Sequence, residues 1–365
     1  MDKERYFGLD LLRIVLMLFI ILGHLFAHTN IRVEVDVFSA KGLYIWLSQS
    51  LTVSAVNCFI LITGFFMLEK NVSFSKMLKL WGKVLFYSIS IYLIMLIVNR
   101  QFVLMDAIHS FFPVVSQQYW FFSNYLLLTL FIPFLNKMIN NLSDKELKVL
   151  LGIIVFVFYC LPIGAFFFGQ FDVSEGMGII GFVTLYIIGA GIKRFNLQLS
   201  KAKCLIALAI NCLIVFFSKL LFTVLVNRFN LSAGTALFYH YNTIFQLINA
   251  VLLFVLFKNL KINNCLSKII VFLSPMVFSV YLIHEHPLIR KLLWQTGLVN
   301  WLINNSFLLF IINTFLITIA TFIVCIIIEM IRLYFAKRIV NTKLGKKIKT
   351  KIYKLNESIQ NFLEN

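Results

Sequence analysis

Charged residues are scarce in this chain. Only 13% of its 365 residues are charged, whereas 61% are hydrophobic and 40 are phenylalanine. A soluble protein of this length could not bury so much apolar surface, so the composition excludes a soluble globular fold. The long runs of Ile, Leu and Val instead predict an all-α, polytopic bundle of membrane-spanning helices.

Paired cysteines are also missing. The six cysteines are scattered, no two of them have metal-ligand spacing, and most lie in or beside apolar runs. This distribution favours neither a disulfide framework nor a zinc site, and we expect no metal cofactor.

Acidic residues are few, 15 against 33 Lys and Arg, and the formal net charge is +18. The basic residues lie between apolar runs and in the C-terminal tail. Membrane topology explains this placement better than nucleic-acid binding does, and we expect no nucleic-acid partner.

Ten apolar segments are long enough to cross a membrane. They lie near residues 8–28, 45–68, 84–99, 119–139, 149–168, 178–192, 204–226, 241–257, 269–286 and 306–331. If the N-terminus is cytoplasmic, the inner loops and tail hold 25 Lys and Arg residues and the outer loops hold 6. This bias predicts about ten spans with both termini in the cytoplasm.

No small-residue cleavage site follows the first apolar stretch, so we interpret it as a retained helix. Residues 1–335 are predicted to form one membrane domain, with no separate soluble domain. Residues 336–365 are predicted to be a basic amphipathic tail on the inner membrane surface, where it contacts anionic lipid. The Gly-Ala-Gly run at 189–191 is expected to let two helices approach closely.

The first apolar segment reads LDLLRIVLMLFIILGHLFAH and carries Asp10, Arg13, His24 and His28. Arg13 and His24 are eleven residues apart, which is ~1100° of helix and about 20° from whole turns, so they share one face. Asp10 precedes Arg13 by three residues and can pair with it. An Arg near mid-span costs ~2.5–3.5 kcal/mol on insertion scales, so such groups face a protein interior or a watery cavity.

Two interpretations of this stripe remain. In one, Asp10 and Arg13 form a pair that snorkels to the inner interface, and His24 packs against a neighbouring helix. In the other, which we favour, Arg13 and His24 line the two ends of a cavity. Histidine is well suited to moving a proton near neutral pH.

Four segments carry a resemblance to a known family. They are LDLLRIVLMLFIILGH at the start of the chain, FILITGFFMLEKNVSFSKMLKLWGKVL at 59–85, QQYWFFSNYLLLTLFIPFLNKMI at 117–139 and FSVYLIHEHPLI at 278–289. Together they resemble the acyltransferase-3 family of integral membrane acyltransferases, whose first helix carries the pattern LDxLRxxAxxxVxxxH. In particular they are similar to Gram-positive enzymes that O-acetylate capsular or cell-wall polysaccharide, which implies a bacterial cell membrane. Many members have Arg-x-x-Arg after the second helix, where this chain has Lys76 and Lys79, which keep the charge but lose the bidentate fork.

The resemblance implies transfer of an acyl group, usually acetyl, from cytoplasmic acetyl-CoA to an extracytoplasmic hydroxyl of a polysaccharide or lipid-linked sugar. Lys76, Lys79 and Lys83 are then candidates for holding the CoA phosphates, although ordinary inner-loop topology also accounts for them. Arg13, paired with Asp10, is a candidate for binding a phosphate or the acyl carbonyl. His24 is a candidate general base or nucleophile.

Further candidates lie at the predicted outer end. His284, Glu285 and His286 end the ninth segment, and they either bind acceptor hydroxyls, orient His24, or form a polar interfacial cap. Tyr119 and Trp120 open the fourth segment, where they either stack on a sugar or belong to the interfacial aromatic belt.

A carrier or flippase for a lipid-linked glycan is the alternative function, because a polar stripe through ten helices also describes a translocation path. The basic cluster lies only on the inner side, however, and the His and aromatic groups are mostly on the outer side. Transporters usually show paired broken helices in two halves, and we find none in the sequence. The asymmetry therefore favours the acyltransferase.

Overall fold

The computed structural model describes residues 5–70, 72–168, 174–230, 234–340, 342 and 350. The described residues form helices and contain no strand, as the composition predicted. The final helix runs over Phe307–Val340. The amphipathic tail predicted for 336–365 therefore lies, beyond Val340 and apart from two single positions, outside the described residues.

Nine helices among the described residues are long and apolar enough to cross a membrane, and each overlaps a predicted segment. The remaining predicted segment, 178–192, which is the sixth in chain order, is a 16-residue helix, Ile179–Arg194. We number the ten in chain order. They are span 1 (Phe7–His28), span 2 (Ala40–Met67), span 3 (Phe74–Asn99), span 4 (Trp120–Asn141), span 5 (Asp144–Gly164), span 6 (Ile179–Arg194), span 7 (Lys201–Phe229), span 8 (Leu237–Lys258), span 9 (Asn264–His284) and span 10 (Phe307–Arg338).

Span 6 is short, about 24 Å at 1.5 Å per residue, yet it runs the length of span 4. At one end, Asn124 near the start of span 4 donates to the carbonyl of Met177 over 3.1 Å. At the other end, Arg194 donates to the carbonyls of Ile139 and Leu142 over 2.8 and 2.7 Å. Span 6 therefore reaches the same two levels as a full-length neighbour.

Spans 1 and 9 lie side by side and point the same way. Ser274, in the middle of span 9, donates to Asp10 near the start of span 1 over 3.2 Å, and His284 at the end of span 9 lies 3.0 Å from His24 near the end of span 1. Two spans of one chain run parallel only if the chain crosses the membrane an odd number of times between them. Spans 2 to 8 comprise six long spans and the short span 6. If the six long spans cross, the parallel contact requires span 6 to cross as well.

Several spans are interrupted. Span 2 is made of Ala40–Thr52 and Ala55–Met67, and span 5 has a π-turn at Phe156–Cys160 between Asp144–Val155 and Leu161–Phe168. Span 8 has a 3₁₀ turn at Leu237–Tyr239 before the helix Ile244–Lys258. Span 9 has a 3₁₀ turn at Ser274–Met276 between Asn264–Leu273 and Val277–His284. Pro275 accounts for the break in span 9, since proline lacks the N–H that a continuous helix needs. Short helices cover the loops at Ile31–Glu34, Leu104–Phe111, Ser174–Gly176, Pro287–Leu293 and Thr296–Asn304.

Spans 2 and 6 pack backbone against backbone. A methyl group at Gly189 would collide with the carbonyl of Leu61, and one at Gly64 would collide with the carbonyl of Tyr186. The close approach expected from the small residues at 189–191 is confirmed at Gly189. Phe254 of span 8 packs on the same core through Phe65, and this core supports one wall of the site.

Candidate active site

A cavity of about 390 Å³ lies between spans 1, 2, 4 and 9. Arg13, His24 and Arg32 line it in turn, from the start of span 1 to the loop after it. We use inner and outer for the sides that the charge bias assigns, so Arg13 lies at the inner end and Arg32 at the outer end. The helical spacing that placed Arg13 and His24 on one face has thus brought both to one cavity.

His24 lies in a cluster of polar side chains on the outer side. Its Nδ1 is 2.9 Å from Oε2 of Glu285 and 3.0 Å from Nε2 of His284. His28, one turn further along span 1, places Nε2 at 3.1 Å from the same Glu285 oxygen. Arg290 donates to the other Glu285 oxygen over 3.0 Å. Both oxygens of this buried carboxylate are therefore occupied.

The hydrogen bonds assign the tautomers. Nδ1 of His284 is 2.6 Å from the carbonyl of Val280, which only accepts, so Nδ1 carries the proton and Nε2 has the lone pair. His24 therefore presents a protonated Nδ1 to that lone pair and to Glu285. The lone pair of His24 is on Nε2, which is the nitrogen left for a molecule in the cavity.

Glu285 directly follows the last residue of span 9, and it is 5% exposed. Burial disfavours its charge, but the imidazoles of His24 and His28 outweigh burial and hold the pKa of Glu285 well below its ordinary value. The carboxylate is therefore ionised at neutral pH. It fixes the orientation of His24 and stabilises positive charge that develops on the ring.

Three atoms in this cluster, one each from His24, His284 and Glu285, lie within 4.8 Å of one another, so they could in principle hold a metal ion. The distances from His24 to its two neighbours are those of hydrogen bonds. When the groups are treated as hydrogen-bonded, every contact in the cluster joins a donor to an acceptor.

Arg13 and Asp10 form the pair that their spacing predicted, over 2.6 Å. Asp10 is 8% exposed and also accepts from Arg5 and Ser274. The guanidinium of Arg13 lies 5.4 Å from the ring of Phe66. Asp10 therefore holds Arg13 at the inner end of the cavity, so the pairing and the cavity are compatible.

The three candidate lysines differ in placement. Lys76 and Lys79 are exposed, whereas Lys83 lies 3.1 Å from the buried carboxylate of Glu329. Glu329 also accepts from Tyr87 over 2.5 Å and from Arg332 over 2.6 Å. The charge of Lys83 is thus largely compensated, and Lys76 and Lys79 remain the more available pair.

The candidate residues near Tyr119 also differ in placement, because only some of them line the cavity. Trp120 lines the cavity, while Tyr119 is fully buried and donates to the carbonyl of Leu282 over 3.0 Å. His286 caps the helix Pro287–Leu293 by accepting from Leu288, and its other nitrogen donates to the carbonyl of Ser88. Burial lowers the pKa of His286 to about 4, so it is neutral, as this capping bond requires.

Two residues that line the outer part of the cavity, Arg32 and Gln49, were not predicted as site residues from the sequence. Arg32 was counted there only as an outer-loop charge. One signal was present. The outer loops hold few cations, so an arginine there opposes the topological bias and needs a separate reason.

A protein-family comparison matches residues 6–330 to the acyltransferase-3 model, described as an acyltransferase domain. The chain belongs to this family. It is accordingly a multi-pass membrane acyltransferase, and the resemblance drawn from the four sequence segments is confirmed. The searches of curated proteins and of solved structures returned no match.

Proposed function

We propose that this acyltransferase moves an acetyl group from cytoplasmic acetyl-CoA to a hydroxyl of an extracytoplasmic or lipid-linked polysaccharide in a bacterial cell membrane. One observation carries the proposal. A single cavity has Arg13 at its inner end and, towards its outer end, a histidine whose Nδ1 is held by a buried carboxylate. That arrangement suits a donor that enters from one side and an acceptor that enters from the other.

The inner mouth fits the donor. Leu80 lines the cavity, so the first turns of span 3, with exposed Lys76 and Lys79, lie beside its inner end. These ammonium groups bind the phosphates of CoA as point charges, and the thin pantetheine arm extends past Arg13. Arg13 binds either a phosphate or the thioester carbonyl oxygen.

His24 acts on the acceptor. As general base, its Nε2 takes the hydroxyl proton while the hydroxyl oxygen attacks the thioester carbonyl carbon. The carbon–sulfur bond then breaks, the acetyl group stays on the sugar oxygen, and the thiolate of CoA receives the proton from His24. Glu285 stabilises the imidazolium between these steps. As a nucleophile, His24 would instead carry the acetyl group transiently, and acid quenching of a single turnover with radiolabelled acetyl-CoA distinguishes the two routes.

Proton NMR of envelope polysaccharide tests the proposal. We compare cells that lack the protein with cells complemented by wild type, by His24→Ala and by His109→Ala, which removes an exposed histidine from a loop helix. Acetyl signals should vanish without the protein and return with wild type and His109→Ala. They should stay absent with His24→Ala expressed at the same level. Unchanged acetylation with glycan accumulating inside the cell would replace the proposal with the carrier.

A further inference from the structure

Arg32 is a half-buried cation whose charge the described protein leaves uncompensated. It lines the outer end of the cavity, and its Nη1 donates to Oε1 of Gln49 over 3.3 Å. None of the described carboxylates forms an ion pair with it. Burial lowers the pKa of the Arg32 guanidinium from its ordinary value, as expected of a cation withdrawn from water with no anion beside it.

Gln49 adds a second unmet requirement at the same place. It is 2% exposed and lines the cavity, and its Nε2 has no hydrogen-bond partner within the described part of the chain. The Oε1 of Gln49 faces Arg32, so the free group is a donor. A buried donor without a partner is unfavourable, and an acceptor oxygen on a bound molecule would satisfy it.

Lys219 extends the positive region. It is 5% exposed, donates to Thr235, and lies 4.1 Å from the ring of Trp46. It is close enough to Arg32 for their charges to repel, and no described carboxylate pairs with it. Glu285, an acid on the same outer side, is already occupied by His24, His28 and Arg290. The outer end of the cavity, which we call the outer chamber, therefore has an unpartnered donor and positive charge that no described carboxylate compensates.

We propose that this chamber, formed by Arg32 and Gln49, binds an anionic group of the acceptor, a carboxylate or a phosphate, and so places a neighbouring hydroxyl at His24. The inference rests on the proposed function and adds a substrate class, an acidic glycan. Both groups present the planar or clustered oxygens that a guanidinium binds through paired N–H donors. The hydroxyl oxygen of a neutral sugar can accept from the amide of Gln49, but it leaves the charge of Arg32 uncompensated.

Acetyl transfer in isolated membranes tests the inference. Envelope polysaccharide from cells lacking the protein is divided into three batches, one untreated, one carboxyl-reduced, and one stripped of phosphate with hydrofluoric acid. Each batch receives radiolabelled acetyl-CoA and membranes containing wild type, Arg32→Gln, Arg32→Lys or Arg228→Gln. Arg228 is an exposed cation at the end of span 7 that does not line the cavity, so its variant controls for general attraction of acidic polymer to the membrane.

We expect wild type and Arg228→Gln to acetylate the untreated batch, and Arg32→Gln to do so about tenfold to hundredfold less, the usual range for losing a hydrogen bond to a charged group. Arg32→Lys should lose less, because it keeps the charge. Either carboxyl reduction or phosphate removal should lower transfer by wild type by a similar factor. The same treatment should leave the already low transfer by Arg32→Gln almost unchanged. Carboxyl reduction as the effective treatment identifies an acidic sugar, and phosphate removal identifies a phosphorylated glycan.

Two results would overturn the inference and are distinguishable from failure of the proposed function. If neither treatment changes transfer by wild type, or if Arg32→Gln lowers transfer by the same factor on all three batches, the chamber does not bind an anion. The transfer reaction itself would still stand. If wild type acetylates none of the batches, the proposed function fails and the inference fails with it.

Discussion

At the residue scale, the orientation of His24 depends on contacts made far along the chain. His284 lies 260 residues away, and Glu285 follows it. The sequence predicted His24 and Arg13, because an Arg and a His on one face of a membrane helix need a polar surrounding. It left the role of Glu285 open between binding hydroxyls, orienting His24 and forming a polar interfacial cap. Only the packing of span 9 against span 1 brings the carboxylate to Nδ1.

Replacing Glu285 with Gln tests that contact. We expect the rate of transfer to fall by about 10²–10⁴-fold, because the amide neither fixes the ring nor stabilises its positive charge as a carboxylate does. Initial rates, with Glu34→Gln as the exposed control, measure the effect. A normal rate would remove Glu285 from the mechanism.

Chelation tests the hydrogen-bonded interpretation of the cluster. We expect EDTA or phenanthroline to leave acetyl transfer by purified enzyme unchanged, because proton transfer between His24 and the acceptor needs no metal ion. Loss of transfer with a chelator, followed by recovery with one particular added metal, would show that His24, His284 and Glu285 are ligands instead.

At the element scale, the site depends on how closely helices approach. Span 2 forms one wall of the cavity, and its position is set by contact with span 6 at Gly64 and Gly189, where a side chain has no room. The sequence predicted close approach near 189–191, but it did not identify span 2 as the partner. Helical periodicity shows which face of span 6 carries small residues. Which helix packs against that face depends on the whole fold.

Gly189→Ala tests this contact. Its methyl group would meet the carbonyl of Leu61, so spans 2 and 6 must move apart. We expect destabilisation of about 1–3 kcal/mol, in the range for overpacked cores, and a lower melting temperature in detergent. Gly82→Ala is the matched control, since nothing lies within 4 Å of a methyl group there. Equal melting temperatures for the two variants would mean that the helices are not in backbone contact.

At the scale of the whole molecule, hydropathy and charge bias predicted the helical class and about ten spans, of which nine are long helices among the described residues. The family was predicted from the resemblance of four segments, and the family match confirms it. Span 6 has 16 residues, below the ~20 expected of a span, so its length alone does not show that it crosses. The outer chamber was not predictable, because charge counting says which side Arg32 is on but not that its loop folds over the cavity. The ion pair between Lys83 and Glu329 was not predictable either, because a basic loop in the sequence does not show which of its lysines meets a carboxylate.

The crossing of span 6 is testable by labelling. Single cysteines replace exposed Met177 before the span and exposed Gln198 after it, in a chain whose native cysteines are changed to serine or alanine. A membrane-impermeant maleimide should label Met177→Cys in intact cells and Gln198→Cys only after lysis. Labelling of both from the same side would contradict ten crossings.

In the proposed function, acetyl groups pass from donor to acceptor through one cavity at His24. Transfer by sealed right-side-out membrane vesicles tests this route, with radiolabelled acetyl-CoA trapped inside and polysaccharide from cells lacking the protein supplied outside. We predict that wild type labels the external polysaccharide and that His24→Ala lowers this labelling to that of vesicles without the protein. Equal labelling with His24→Ala, or labelling only when acetyl-CoA is added outside, would contradict the account.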